Sequence, residues 1–158
     1  MVPRYLSNLP YLAFLVAWLG TFTLASVLHS LSVLYGLHTV GTELTIAVSI
    51  SFIAKDWLGL LPSYGVILLI GLCLALGLTN PIFRLVSRFR DTSSSHPSLL
   101  WYAMAGAVMM LTIIAAMYPI LGVHIIAGTR GFYGVTWQSI AGVCGGILFY
   151  WVKSKQTA

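Results

Sequence analysis

Acid is the scarcest ingredient of this chain. Of 158 residues, three are Asp or Glu and eight are Lys or Arg, so charged residues make up only 7%. A water-soluble globular domain carries roughly 25% charged residues. With 59% hydrophobic residues and so little charge, the chain has no way to clothe itself in polar groups. A soluble fold is excluded, and the solvent has to be lipid. Cysteine is nearly as rare. Cys73 and Cys144 each stand inside an apolar run, which excludes a disulfide framework and a CxxC redox pair and leaves two small buried thiols. No basic block is present either. The net charge of +5 comes from scattered residues beside apolar runs, which is an orientation signal rather than a nucleic-acid footprint. The length leaves room for a single membrane domain, residues 1–158, and for no separate soluble module.

Long apolar runs are what the chain does have. The first follows Arg4 and the helix-starting Pro10, and its Ala25-Ser26-Val27 resembles a cleavage region. Signal-peptide cores are about 7–15 residues long. This run is far longer, so it reads as a retained span, residues 11–36. Thr23, Ser26 and Ser30 recur in it at helical spacing with His29 beside them, a polar face that turns towards protein in a bilayer. Further spans are expected at about 63–83, 99–120 and 132–152. The apolar run Leu44–Ala54 is too short to cross and is followed by Trp57 and Pro62, so residues 42–58 read as a re-entrant or interfacial helix. Pro62 and Asn80-Pro81 read as punctuation, a break before the second span and a kink or end after it. The fold class is therefore an all-α integral membrane protein, a bundle of four transmembrane helices with one short extra helix.

Four spans put Arg4, Arg84, Arg88, Arg90, Lys153 and Lys155 on one side, with only Lys55 and Arg130 opposite. The positive-inside rule then places both termini in the cytoplasm, and the reading is a bacterial inner-membrane protein with a periplasmic face. A fifth span at 42–61 would spoil that split. The outer face collects His38, Glu43, Lys55, Asp56, His124 and Arg130.

The stretch from Gly122 to Gly146 is the first place to look for function. Gly128 and Gly131 flank Thr129-Arg130 in a turn able to present backbone N–H groups to an anion, and Arg130 is a partner for Glu43 or Asp56 or for a lipid headgroup. Gln138 is a polar side chain inside the last span that needs a bundle partner. Gly134, Gly142, Gly145 and Gly146 supply a small-residue stripe for close helix packing, within one protomer or between copies of a homo-oligomer. The candidate binding set is His29, His38, Glu43, Asp56, His124, Thr129, Arg130 and Gln138, with no catalytic set.

Three characterised families of similar size are set aside on their residues. The membrane glutathione-transferase-like proteins call for a Glu and Arg pattern within the spans that does not occur here. Small multidrug exporters need an acid in the first span, and residues 11–36 hold none. Quinone-linked disulfide oxidoreductases need paired cysteines. Three readings stay open. The first is a binding, transport or accessory protein that associates with membrane lipid and with itself or a membrane partner, without cofactor. The second is a b-type haem or quinone-reactive redox protein using His29 and His124 as axial ligands, with His38 competing. The third is a lipid-headgroup enzyme using Glu43 or Asp56 as base and Arg130 on phosphate.

Overall fold

The computed structural model describes residues 11–42, 45–90, 96–121 and 132–157. Glu43, His124, Thr129 and Arg130 lie outside them, so the expectations placed on those side chains lie outside them too. All regular structure among the described residues is helical: α1 (Tyr11–Thr39), α2 (Ile46–Leu60), a five-residue π-helical turn (Leu61–Gly65), α3 (Val66–Arg90), α4 (Leu99–Leu121) and α5 (Phe132–Thr157). Four helical stretches are long and apolar enough to cross a bilayer: Tyr11–Thr39, Ile46–Phe89, Leu99–Met117 and Tyr133–Gln156. The architecture is compatible with a small multi-pass membrane protein.

The molecule is apolar outside, and α1 turns small residues inward. Leu15, Leu19, Leu74, Leu78, Val108 and Trp151 are exposed, a surface that only lipid tolerates. On α1 the interior side is Ala13, Ala17, Thr21 and Ala25, fully buried at a spacing of four. Small residues at that spacing allow close approach of a second helix. That second helix is α5, whose Gly145 faces Thr21 and whose Gln138 reaches the Ala25 carbonyl. The other face of α5 meets α4 backbone to backbone. A Cβ on Gly142 would collide with the Gly106 carbonyl, and a Cβ on Gly146 with the Tyr102 carbonyl. α3 packs antiparallel to α4, with Gly71 against Met109 and Ile113 and Phe83 edge-on to Trp101 at 5.4 Å.

Two expectations about punctuation change. Pro62 does not separate an independent short helix from the next span. The chain stays helical from α2 into α3, and the π turn at Leu61–Gly65 absorbs the proline. A proline inside an α-helix removes an amide donor and clashes with the preceding turn, and the wider π turn makes room for its ring. Pro81 lies inside α3, which continues to Arg90, so of the kink or end expected there the end is excluded. The stretch Ile46–Phe89 has 44 residues, about 66 Å at 1.5 Å per residue, against a hydrocarbon core of roughly 30 Å. α1 does end where a glycine permits it. Gly41 has φ +84°, its amide bonds to the His38 carbonyl at 3.1 Å, and the Thr42 amide reaches the Leu37 carbonyl at 3.2 Å. This is the left-handed cap that closes the last carbonyls of a helix.

α2 is held differently from the rest. None of its residues is buried. Its contacts to α1 run antiparallel, Ser30 to Asp56 and Phe22 to Trp57, and the π turn continues them with Trp18 donating from Nε1 to the Gly65 carbonyl at 2.8 Å.

Candidate polar site between α1 and α2

Hydroxyls inside an apolar helix can satisfy themselves on the carbonyl one turn back. Thr21 bonds to Ala17, Ser32 to Leu28, Thr79 to Ala75, Thr112 to Val108 and Ser139 to Val135 in this way. These groups need no further explanation. Ser26 breaks the pattern. It is fully buried, and its hydroxyl has no hydrogen-bond partner among the described residues. His29, one turn along the same face, is 8% exposed, and its Nδ1 is also unpartnered there. An unmet buried polar group costs about 1–3 kcal/mol, and most native ones are satisfied.

These two groups sit beside the only acidic side chain among the described residues. Asp56 of α2 accepts a hydrogen bond from the Ser30 hydroxyl, and His29 Nε2 stands 4.0 Å from its Oδ2. That separation is too long for a direct hydrogen bond. The Asp56 side chain keeps 23% of its surface exposed at the seam between the two helices. The neighbouring Lys55 is exposed, and Trp57 donates from Nε1 to Thr23 at 3.3 Å. Read from the sequence, Asp56 belongs to the outer face with no acid inside the spans. In the structure it falls within Ile46–Phe89 and is turned onto α1.

Deeper in the bundle the last-span glutamine finds partners on two other helical segments. Gln138 is 2% exposed, donates from Nε2 to the Ala25 carbonyl at 3.0 Å and accepts from the Tyr64 hydroxyl at 2.9 Å. Tyr64, fully buried in the π turn, also has the Met110 sulfur at 3.5 Å. The polar ladder therefore runs from Asp56 through His29, Ser30 and Ser26 to Ala25, Gln138 and Tyr64.

It stops there. Following α5 onward, the interior positions are Ala141, Gly142, Gly145 and Gly146, filled by Gly106, Thr21 and the Tyr102 carbonyl. Among the described residues, the next hydrogen bond from an α5 side chain to another helix is at Lys153, which donates to the Tyr102 hydroxyl at 2.8 Å, and that hydroxyl donates to Asn80 Oδ1 at 3.4 Å. Gln138 and Lys153 are fifteen residues apart, about 22 Å along the helix, with a dry glycine belt between them.

Of the sequence candidates, His29 and Asp56 are brought together, and Gln138 joins them through Ala25 and Ser26. His38 is exposed in the last turn of α1, apart from the cluster. Gly134 is buried, and Gly142, Gly145 and Gly146 are spent on α4 and α1 within the protomer. Tyr64 and the Asn80–Tyr102–Lys153 chain are not legible as polar partners in the sequence, because each looks like an ordinary interface aromatic or terminal charge. The described residues hold no group of three or more metal-ligating side chains. Comparison of the chain with protein-family models, with characterised proteins and with solved structures finds no match.

Proposed function

We propose that this chain is a small multi-pass membrane protein of the binding or accessory type, with its site in the seam between α1 and α2. The carrying observation is the carboxylate of Asp56 set against His29 and Ser30, with two buried polar atoms beside it still holding free hydrogen-bonding capacity. Lipid-facing helices rarely carry an ionisable residue without a function for it. The dry belt of Gly106, Gly142 and Gly146 supports binding at a one-sided site rather than conduction through the bundle.

Arg84, Arg88, Lys153 and Lys155 lie beyond the belt, and the positive-inside rule assigns that end to the cytoplasm of a bacterial inner membrane. With Ile46–Phe89 counted once, both termini share that side and the site opens towards the periplasmic half. The haem reading takes second place because His29 turns Nε2 towards Asp56.

Thiol accessibility tests this. In a Cys73→Ala, Cys144→Ala background, Ser26→Cys and Ser30→Cys are exposed to a membrane-impermeant maleimide from either side of sealed vesicles. Labelling from the periplasmic side alone supports a one-sided site. Labelling from both sides indicates a path through the bundle, and labelling from neither side indicates a sealed core; either result rejects the proposal.

A further inference from the structure

The end of the bundle away from the seam carries charge of one sign. Arg84 and Arg88 of α3 are exposed, and neither forms an ion pair among the described residues. Lys153 and Lys155 close α5 at the same end. The only acidic side chain among the described residues, Asp56, belongs to the seam, and in the sequence a single acid, Asp91, follows α3. Trp101 and Tyr102 of α4 and Tyr150 and Trp151 of α5 gather at this level, with the Tyr102 and Tyr150 ring centroids 5.9 Å apart. Phe83, next to Arg84, stands edge-on to Trp101. An aromatic belt of this kind marks the headgroup layer.

α3 outruns the helix it packs on. It continues seven residues beyond Phe83, while α4 begins two residues before Trp101. Its last turns are two-sided. Ile82, Leu85 and Phe89 recur at spacings of three and four and are exposed, Phe89 by 84%. Arg84 and Arg88 fall on another side, one and two turns beyond Asn80. A helix end with this pattern rests at the boundary of headgroups and acyl chains, its apolar strip in the chains and its arginines at the phosphates.

A hydrogen-bond chain gives that side a direction. Lys153 donates to the Tyr102 hydroxyl and lies over the same ring at 5.1 Å, and Tyr102 passes its own hydrogen to Asn80 Oδ1. This occupies the amide oxygen of Asn80 and leaves its amide nitrogen to donate. Lys153 Nζ is no farther from Asn80 than those two hydrogen bonds. Arg84 brings a planar fork of N–H donors on the next turn, which fits two oxygens of one phosphate. The group that completes such a set is a negatively charged acceptor at headgroup depth. We propose that Asn80, Arg84 and Arg88 of α3, with Lys153 of α5, seat the phosphate of an anionic phospholipid. Charge selects this lipid over a zwitterionic one, whose ammonium would meet the same cations.

Lipid retention by the full-length protein, read by native mass spectrometry from mixed micelles, tests this. Phosphatidylglycerol and phosphatidylcholine with matched acyl chains are supplied at equal concentration. The expected result is preferential retention of phosphatidylglycerol. Arg84→Gln and Arg88→Gln should each lower the preference about fivefold, the worth of one cation at an anionic surface, and the double variant more. Both side chains are exposed, so the unfolding midpoint of the lipid-free protein should stay in place. Lys55→Gln, beside the seam, should leave the preference unchanged. Equal retention of the two lipids overturns the proposal. An equal loss with Lys55→Gln does so too, because it reports overall charge rather than a site. Displacement of phosphatidylglycerol by an equal concentration of inorganic phosphate also overturns it, since a soluble anion is then the ligand. None of these outcomes touches the labelling of Ser26→Cys, so this reading and that of the α1–α2 seam fail separately.

Discussion

The Tyr64–Gln138 hydrogen bond is the sharpest quantitative test of this bundle. It joins the π turn to α5 at 2.9 Å, and Gln138 uses its other end on α1 through the Ala25 carbonyl at 3.0 Å. Hydrogen bonds between membrane helices contribute about 0.6 kcal/mol on average and up to roughly 1.7 kcal/mol. Gln138→Leu keeps the volume and removes both bonds, so it should destabilise by about 1–3 kcal/mol. Tyr64→Phe removes one, for about 0.6–1.7 kcal/mol. The double variant should cost less than the sum, because in the Gln138→Leu background the tyrosine hydroxyl is left with only the Met110 sulfur at 3.5 Å, a weak acceptor. Reversible unfolding in mixed micelles with a rising fraction of SDS gives all four corners of the cycle. A coupling energy below about 0.3 kcal/mol, the range in which independent sites add, would refute the claim that these two side chains hold three helical segments together.

Other substitutions probe the same construction. Gly142→Leu should abolish the folded bundle, since its side chain would be driven into the Gly106 carbonyl. Gly20→Ala meets only the flexible tip of Leu148, at 2.6 Å, and should shift the midpoint far less. Equal effects of the two would contradict the backbone-to-backbone contact of α4 and α5. Gly41→Ala should cost about 1–2 kcal/mol through its φ of +84°, with Gly41→Asn milder, and an unchanged midpoint would remove the helix cap from the account. Trp18→Phe keeps the ring against Phe22 and loses the 2.8 Å bond to Gly65, so a loss near 0.6–1.7 kcal/mol is expected in the same titration.

Much of the interior could be anticipated from residue type alone. Ser26, His29 and Ser30 recur on one side of the first run, and a polar face in lipid has to turn inward. Gln138 had to find partners for the same reason, and the glycine stripe of α5 had to meet another backbone. The more buried stripe of α1, Ala13, Ala17, Thr21 and Ala25, is harder to notice, because alanines in an apolar run look like filler. Asp56 was harder to pair for a different reason. Beside Lys55 and Trp57 it looks like the end of a surface segment, and its partner Ser30 stands on a helix distant in sequence.

Composition and spacing by themselves determined the solvent, the helical class, four apolar helices and the polar face of the first, because lipid forces every backbone group into a helix and every polar side chain out of its sight. Tertiary structure alone decided which helix each polar group meets: Asp56 against His29, Tyr64 against Gln138, and the glycines of α5 against α4 and α1 inside one protomer. Pairings of this kind depend on the register between helices distant in sequence. No local pattern encodes that register, and here a π turn around one proline helps to set it.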